Sequence, residues 1–197
     1  MKLIAITGGI GSGKSVVSRS LGVMGYHVYD CDSRAKTLMA ASQEVHRQLV
    51  EAFGPDTYLA DGSLNRQHLS QVAFGNDEAL ARLNGIVHPA TARDMQQWAQ
   101  RQAQEGATLS FVETALLRTS GLDQLVDEVW HVTAPTAVRV ERVMARSGLT
   151  AQQVLDRMAS QAAEEAIAPG EHVIANDNTT AVLPQVINLL LNNLKQQ

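Results

Sequence analysis

The chain has 197 residues, 45% of them hydrophobic, which suits one α/β domain with small insertions and shows no sign of disorder. Its formal charge of -4 withholds the basic footprint of a protein that coats nucleic acid, and no apolar run approaches the length of a membrane span. One cysteine, Cys31, excludes an internal disulfide, and no secretory signal precedes the first glycines, so the cytoplasm is the expected compartment.

Taken in order, Leu3 to Ile6 is a short apolar run ending in Thr7 and glycines, the pattern of a buried strand. Ser15 to Met24 carries helical spacing and stops at Gly25. Tyr26 to Tyr29 predicts a second strand, closed by Asp30, Cys31 and Asp32. From Ser33 to about Glu105 the pattern is helical, broken by turn signals at Gly54-Pro55-Asp56, Asp61-Gly62-Ser63 and His88-Pro89. Strands are expected at Thr108 to Val112, Val129 to Thr133 and His172 to Ala175. Helices are expected at Thr136 to Arg146, Thr150 to about Glu165 and Val182 to Leu194. Strands separated by helices predict a doubly wound, five-stranded parallel sheet, with the long helical insertion capping its carboxyl edge.

Gly8-Gly9-Ile10-Gly11-Ser12-Gly13-Lys14-Ser15 fits G-x-x-x-x-G-K-[ST] and stands where that motif acts, after a strand and opening a helix. Glycines let the backbone turn tightly and aim its N–H groups at phosphate oxygens, and the helix N-terminus adds partial positive charge. Lys14 can reach the β- and γ-phosphates, and the Ser15 hydroxyl can ligate magnesium. A turn that merely joined strand to helix would have no reason to end in Lys-Ser.

Asp30 and Asp32 follow the second strand, at the sheet edge where open α/β folds bind ligands. Near a magnesium triphosphate, one carboxylate can orient metal-bound water and the other can accept a proton from the attacking hydroxyl. If strand geometry persists they share a face. The alternative is a solvated loop in which Asp32 caps a helix beginning near Ser33. Cys31 between them reads as a small packed residue. Glu113 ends the third strand, where P-loop proteins carry an acid that helps hold magnesium.

Arg139, Arg142 and Arg146 recur at spacings of three and four, so they share a helix face. Such arginines are commonly solvated, but in a phosphoryl-transfer enzyme a lid uses them to offset charge on the transferring oxygens. Ser147-Gly148-Leu149-Thr150 reads as a turn into the next helix, with Thr150 as N-cap, and Arg157 and Gln161 lie one turn apart beyond it. At least one of Arg142, Arg146 and Arg157 is expected to serve the reaction: Arg142 at the transferring group, Arg146 on the nucleotide, Arg157 at the acceptor.

With these features in place the chain resembles the dephospho-CoA kinase family over nearly its full length. The resemblance rests on Thr7 to Lys14, on Asp30-Cys31-Asp32, on Leu83-Asn84 with His88-Pro89, and on Val132-Thr133-Ala134-Pro135 ahead of Arg142 and Arg146. Arg157 with Gln161, and Ile174-Ala175-Asn176, complete it. It implies a three-part kinase: a core of about 1–32, 106–140 and 170–197, a helical substrate domain of about 33–105, and a lid of about 141–169. It implies phosphorylation of the ribose 3′-hydroxyl of dephospho-CoA by magnesium ATP, with Asp32 as general base. Gly9, Ile10, Gly11, Ser12, Gly13, Lys14, Ser15 and Val16 would form the ATP cradle, Asn176 would lie near the adenine, and Asn84 and His88 would belong to the acceptor region. The oligomeric state is left at a monomer by default. One departure stands out: in Leu117-Arg118-Thr119-Ser120-Gly121, Thr119 replaces the acid that relatives commonly show, so no carboxylate role carries over to that position. His88-Pro89 can also be read without function, as an ordinary helix start. Two rival readings stay open: another small-metabolite or nucleoside-monophosphate kinase, and a non-catalytic ATP-binding regulator.

Overall fold

In the computed structural model, which describes residues 1–73 and 76–195, five strands form one sheet in the order β2-β3-β1-β4-β5. β1 (Lys2–Thr7) lies at its centre, between β3 (Leu109–Glu113) and β4 (Glu128–Thr133). β5 (His172–Ala175) runs parallel beyond β4, and β2 (His27–Asp30) forms the opposite edge. A central strand is covered on both faces and needs apolar residues in succession rather than in alternation. Leu3, Ile4, Ala5 and Ile6 meet that need, and all are buried. The parallel α/β architecture expected from the sequence is the one observed.

The register sets Ile4 opposite Phe111 and Ile6 beside Trp130. These side chains join Leu109, Val132 and Ile174 in one cluster. Onto it α1 (Lys14–Val23) lays Val17 and Leu21, and α9 (Val182–Leu194) lays Val186 and Leu190, each pair one helical turn apart. The Phe111 and Trp130 rings sit 5.2 Å apart, with Tyr26 edge-on to Phe111 at 5.5 Å. Burial on this scale contributes about 1.5–3 kcal/mol for each large apolar side chain, so this cluster is a main source of the sheet's stability.

After β4 come α6 (Thr136–Ser147), α7 (Ala151–Ser160) and the four-residue α8 (Ala162–Glu165). Val143, Val154 and Met158 pack together with Ile10, Val140 and Leu149. Thr150 caps α7 as expected, in a full capping box with Gln153. The single helix expected from Thr150 to Glu165 is interrupted at Gln161, whose backbone leaves the helical region while its side chain accepts the Ile10 N–H.

The chain resolves into two compact units, Met1–Tyr29 with Arg101–Gln197, and Asp30–Gln100. The second is helical: α2 (Cys31–Ala41), α3 (Gln43–Phe53), α4 (Arg66–Ala73) and most of α5 (Asp77–Gln104). Its core gathers Val45, Leu49, Tyr58 and Ala90, and the Tyr58 hydroxyl donates to the Met39 carbonyl at 2.6 Å. Two expectations fail here. No turn forms at His88-Pro89; α5 runs through Pro89 for 28 residues. An interior proline costs about 3 kcal/mol, but Val87, Ala90, Thr91 and Met95 form a buried stripe, and a few such residues outweigh it. Nor does strand geometry persist past β2: a helix begins at Cys31, capped by Asp30, so the shared strand face and an Asp32 cap are both absent. Among the described residues no helix is long and apolar enough to cross a membrane.

Candidate active site

β1 delivers the chain into the glycine loop, and α1 starts at Lys14 with Gly13 as its N-cap. Gly13 has φ 95°, a left-handed conformation costly for residues with a Cβ. A Cβ there would stand 2.0 Å from Asn176 Nδ2, so the position excludes side chains on two counts. The first turn of α1 carries no acidic residue, which leaves the positive end of its dipole uncompensated by the helix itself. Lys14 Nζ curls back over the loop and donates to the Gly8 carbonyl at 2.8 Å and the Gly9 carbonyl at 3.3 Å. Ser15 and Val16 are exposed, while the Ser12 and Thr7 hydroxyls are buried with no hydrogen-bond partner among the described residues.

Asn176, just past β5, donates its side-chain amide to the Ser12 carbonyl at 2.9 Å and its backbone N–H to the Thr133 carbonyl at 2.8 Å. Its neighbour Asp177 accepts N–H and hydroxyl bonds from Thr179 and Thr180, which hold its carboxyl far below the usual carboxylate range. Arg142 spans the gap between loop and turn. Its guanidinium reaches the Gly11 carbonyl at 3.3 Å, the Asn176 carbonyl at 3.0 Å and Asn178 Oδ1 at 2.5 Å. The three arginines of α6 thus part company: Arg139 is buried, Arg142 is half-buried on this turn, and Arg146 is exposed. Arg146 and Arg157 form no side-chain hydrogen bond or ion pair among the described residues, whereas Gln161 meets the loop at Ile10.

Glu113 lies opposite Ile6 in the register, beside the strand that feeds the glycine loop. Among the described residues no group of three or more metal-binding side chains occurs. Ser15 and Glu113 are oxygen donors of the kind magnesium takes, and that ion commonly fills its remaining positions with phosphate oxygens and water. The donors therefore fit a magnesium triphosphate rather than an all-protein cage.

In the second unit, Asp30 Oδ1 accepts the Ser33 N–H at 3.1 Å, so one aspartate caps α2 and Asp32 projects exposed from its first turn. Cys31 is buried, as expected of a packed residue. Asn84 and His88 lie one turn apart on α5, both half-buried. Sequence reading missed the fork between Arg34 and Asp94, at 2.8 and 2.9 Å, because the partners are sixty residues apart with no local signature. It also missed Glu165, which pairs with Arg139; its position four residues after Gln161 was the available signal.

The family model described as dephospho-CoA kinase matches residues 2–181. A dephospho-CoA kinase of Porphyromonas gingivalis is 41% identical over 192 residues, covering 96% of this chain and 93% of the relative. One from Salinibacter ruber is 40% identical, covering 91% and 90%. Among solved structures, a Thermus thermophilus protein superposes with a TM-score of 0.78 at 31% identity, over 99% of this chain and 97% of that one. Dephospho-CoA kinase from Campylobacter jejuni superposes at 0.71 over 98% and 97%, and at 22% identity this is a likeness of fold.

Proposed function

The chain belongs to the dephospho-CoA kinase family, and from that membership we infer that it moves the γ-phosphate of ATP onto the ribose 3′-hydroxyl of dephospho-CoA, the step that yields CoA. The observation that carries the reading is the glycine loop itself, with a left-handed Gly13 opening α1 and Lys14 folded over the loop.

Phosphoryl transfer through a loose transition state asks little covalent work of a protein and much positioning. The amides of Gly11 to Ser15 and the α1 N-terminus would cradle the β-phosphate, and Lys14 would swing from the Gly8 carbonyl onto the β- and γ-oxygens. Arg142 and Asn176, joined to each other and to the loop carbonyls, would define the base end of the nucleotide site. That engagement favours a nucleotide-organising role for Arg142 over one at the transferring group, and leaves Arg146 and Arg157 as the exposed arginines able to meet phosphates. Ser15 and Glu113 would hold magnesium, which when bound neutralises charge on the phosphate oxygens. Asp32, released from capping because Asp30 does that work, would take the proton of the 3′-hydroxyl. Asn84 and His88 would contact the acceptor. We place the reaction in the cytoplasm, in keeping with ATP supply and a single cysteine.

The test is to follow CoA and ADP together in a mixture of protein, magnesium ATP and dephospho-CoA. Equal amounts of both are expected from the native chain and neither from Lys14→Ala. Asp32→Asn should keep ATP binding and lose about 10²–10⁴-fold in turnover, the usual contribution of a general base. Near-native turnover would remove Asp32 from that role, and ATP binding without CoA would sink the acceptor assignment.

A further inference from the structure

The N-terminal half of the glycine loop is gripped by side chains that the nucleotide motif does not specify. The backbone of Ile10 is held on both sides of its Cα: its N–H, in the peptide it shares with Gly9, donates to Gln161 Oε1 at 3.2 Å, and its carbonyl, in the peptide it shares with Gly11, accepts from Arg139 Nε at 2.8 Å. Arg139 is 7% exposed, and a buried guanidinium requires a partner. Glu165 supplies it with a two-pronged contact at 2.7 and 2.5 Å. Because the guanidinium is planar, closing its fork on Glu165 fixes the direction in which Nε points.

Gly9 gives an independent sign of the same arrangement. The motif leaves this position free, and its φ is not among the positive ones, so neither motif nor backbone strain demands glycine here. What it meets is contact: a Cβ would fall 2.1 Å from Glu165 Oε1 and 2.2 Å from Arg139 Nη2, so any larger residue would push the ends of the ion pair aside. The ion pair therefore lies directly on the loop. Glu165 is in turn anchored through its neighbour. The Glu164 carboxylate, 2% exposed, accepts the N–H groups of Arg118 at 3.0 Å and Thr119 at 2.6 Å, and the Glu164 carbonyl accepts from Arg118 Nη1 at 3.1 Å. So α8 joins the segment after β3 to the loop after β1 by side-chain bonds on both sides.

We propose that Arg139, Gln161 and Glu165 form a clasp that fixes the two peptides flanking Ile10 and so sets the phosphate cradle, making them positioning residues for ATP; this rests on the kinase reading above. On the kinase reading the phosphate donors are the next amides in the chain, from Gly11 onward, and the Gly11 N–H shares its peptide with the Ile10 carbonyl, so a rotation of that peptide would re-aim it. Holding the peptides on both sides of Ile10 prepays the ordering that a phosphate would otherwise have to impose.

The experiment compares Glu165→Gln, Arg139→Lys and Gln161→Ala in the full chain. It measures the dissociation constant of a fluorescent ATP analogue, KM for ATP and for dephospho-CoA, and the melting temperature. Arg139→Lys keeps the charge and loses the fork. It and Glu165→Gln should weaken nucleotide binding about 10-fold or more, the usual scale for a charged hydrogen bond lost, and raise KM for ATP in step. KM for dephospho-CoA should move less than about twofold, because the clasp touches only the nucleotide side. Should either charged-pair variant fail to fold, Gln161→Ala removes only the acceptor of the Ile10 N–H and should still loosen nucleotide binding about threefold. Nucleotide affinity within twofold of native in the folded variants overturns the proposal. So do parallel rises in both KM values that track lost thermal stability, which mark a merely structural pair. If the native chain makes no CoA while the variants still lose nucleotide affinity, the acceptor reading falls and the clasp stands.

Discussion

At Gly13 a methyl group would meet two penalties: a left-handed backbone, costing about 1–2 kcal/mol for a residue with a Cβ, and the Asn176 amide 2.0 Å away. Asn176 cannot yield freely, since Arg142 donates to its backbone and side-chain oxygens and the Thr133 carbonyl accepts its N–H. Gly22, in the same helix, has open space around it and an ordinary helical φ. The two substitutions should therefore have opposite signs. Gly22→Ala should stabilise by about 0.5–1 kcal/mol, the helix-interior cost of glycine. Gly13→Ala should destabilise by at least about 1 kcal/mol and weaken nucleotide binding. Thermal unfolding with and without ATP reads both, and equal shifts would contradict the crowding seen at Asn176. This contrast marks what single residues disclose in sequence. Gly8 to Ser15 was legible because phosphate chemistry is local and dictates residue types at fixed spacing. Arg139, Arg142 and Arg146 showed a common helix face, but not that one would be buried on Glu165, one bound to Asn178 and one exposed. Those fates depend on partners more than twenty residues away.

At the level of elements, periodicity located all five strands and the closing helix, since burial on one or both sheet faces writes itself into the order of apolar residues. What it misjudged were boundaries decided by side-chain competition. Asp30 rather than Asp32 caps α2, and α5 passes through Pro89 because its buried stripe outweighs one lost hydrogen bond. The Thr150 cap, by contrast, was readable and is testable. Its hydroxyl accepts the Gln153 N–H at 3.3 Å, while Gln153 Oε1 accepts the Thr150 N–H at 2.9 Å. Thr150→Ala should cost about 1 kcal/mol, the usual value of an N-cap, and Thr150→Ser should restore most of it. In a chain of this size that is a fall of about 2–4 °C in melting temperature. Equal stability of the alanine and serine variants would mean that α7 is held by Val154 and Met158 packing alone.

Across the whole molecule, one carboxylate ties the beginning of the chain to its end. Glu128, at the start of β4, accepts from Lys2 at 2.5 Å, from the Trp130 indole at 2.6 Å and from the Asn193 amide at 3.1 Å, with His172 Nε2 at 3.4 Å. Lys2 also donates to Asn193 at 2.6 Å, so β1, β4 and the last turn of α9 share one network. Burial alone would raise the Glu128 carboxyl, but the bonds from Lys2, Trp130 and Asn193 outweigh it and bring it below its ordinary value. The sign of the consequence follows. A carboxyl lowered in the folded state contributes stability that is fully present above its unfolded value, near 4.5, and that is lost as pH falls through the folded one. Glu128→Gln keeps the shape and removes the charge. Its melting temperature should lie below that of the native chain from about pH 8 to about pH 5, and the margin should close below about pH 4. A margin that persists unchanged into that acid range would show that shape and hydrogen bonding, rather than ionisation, hold the two ends of the chain to the sheet.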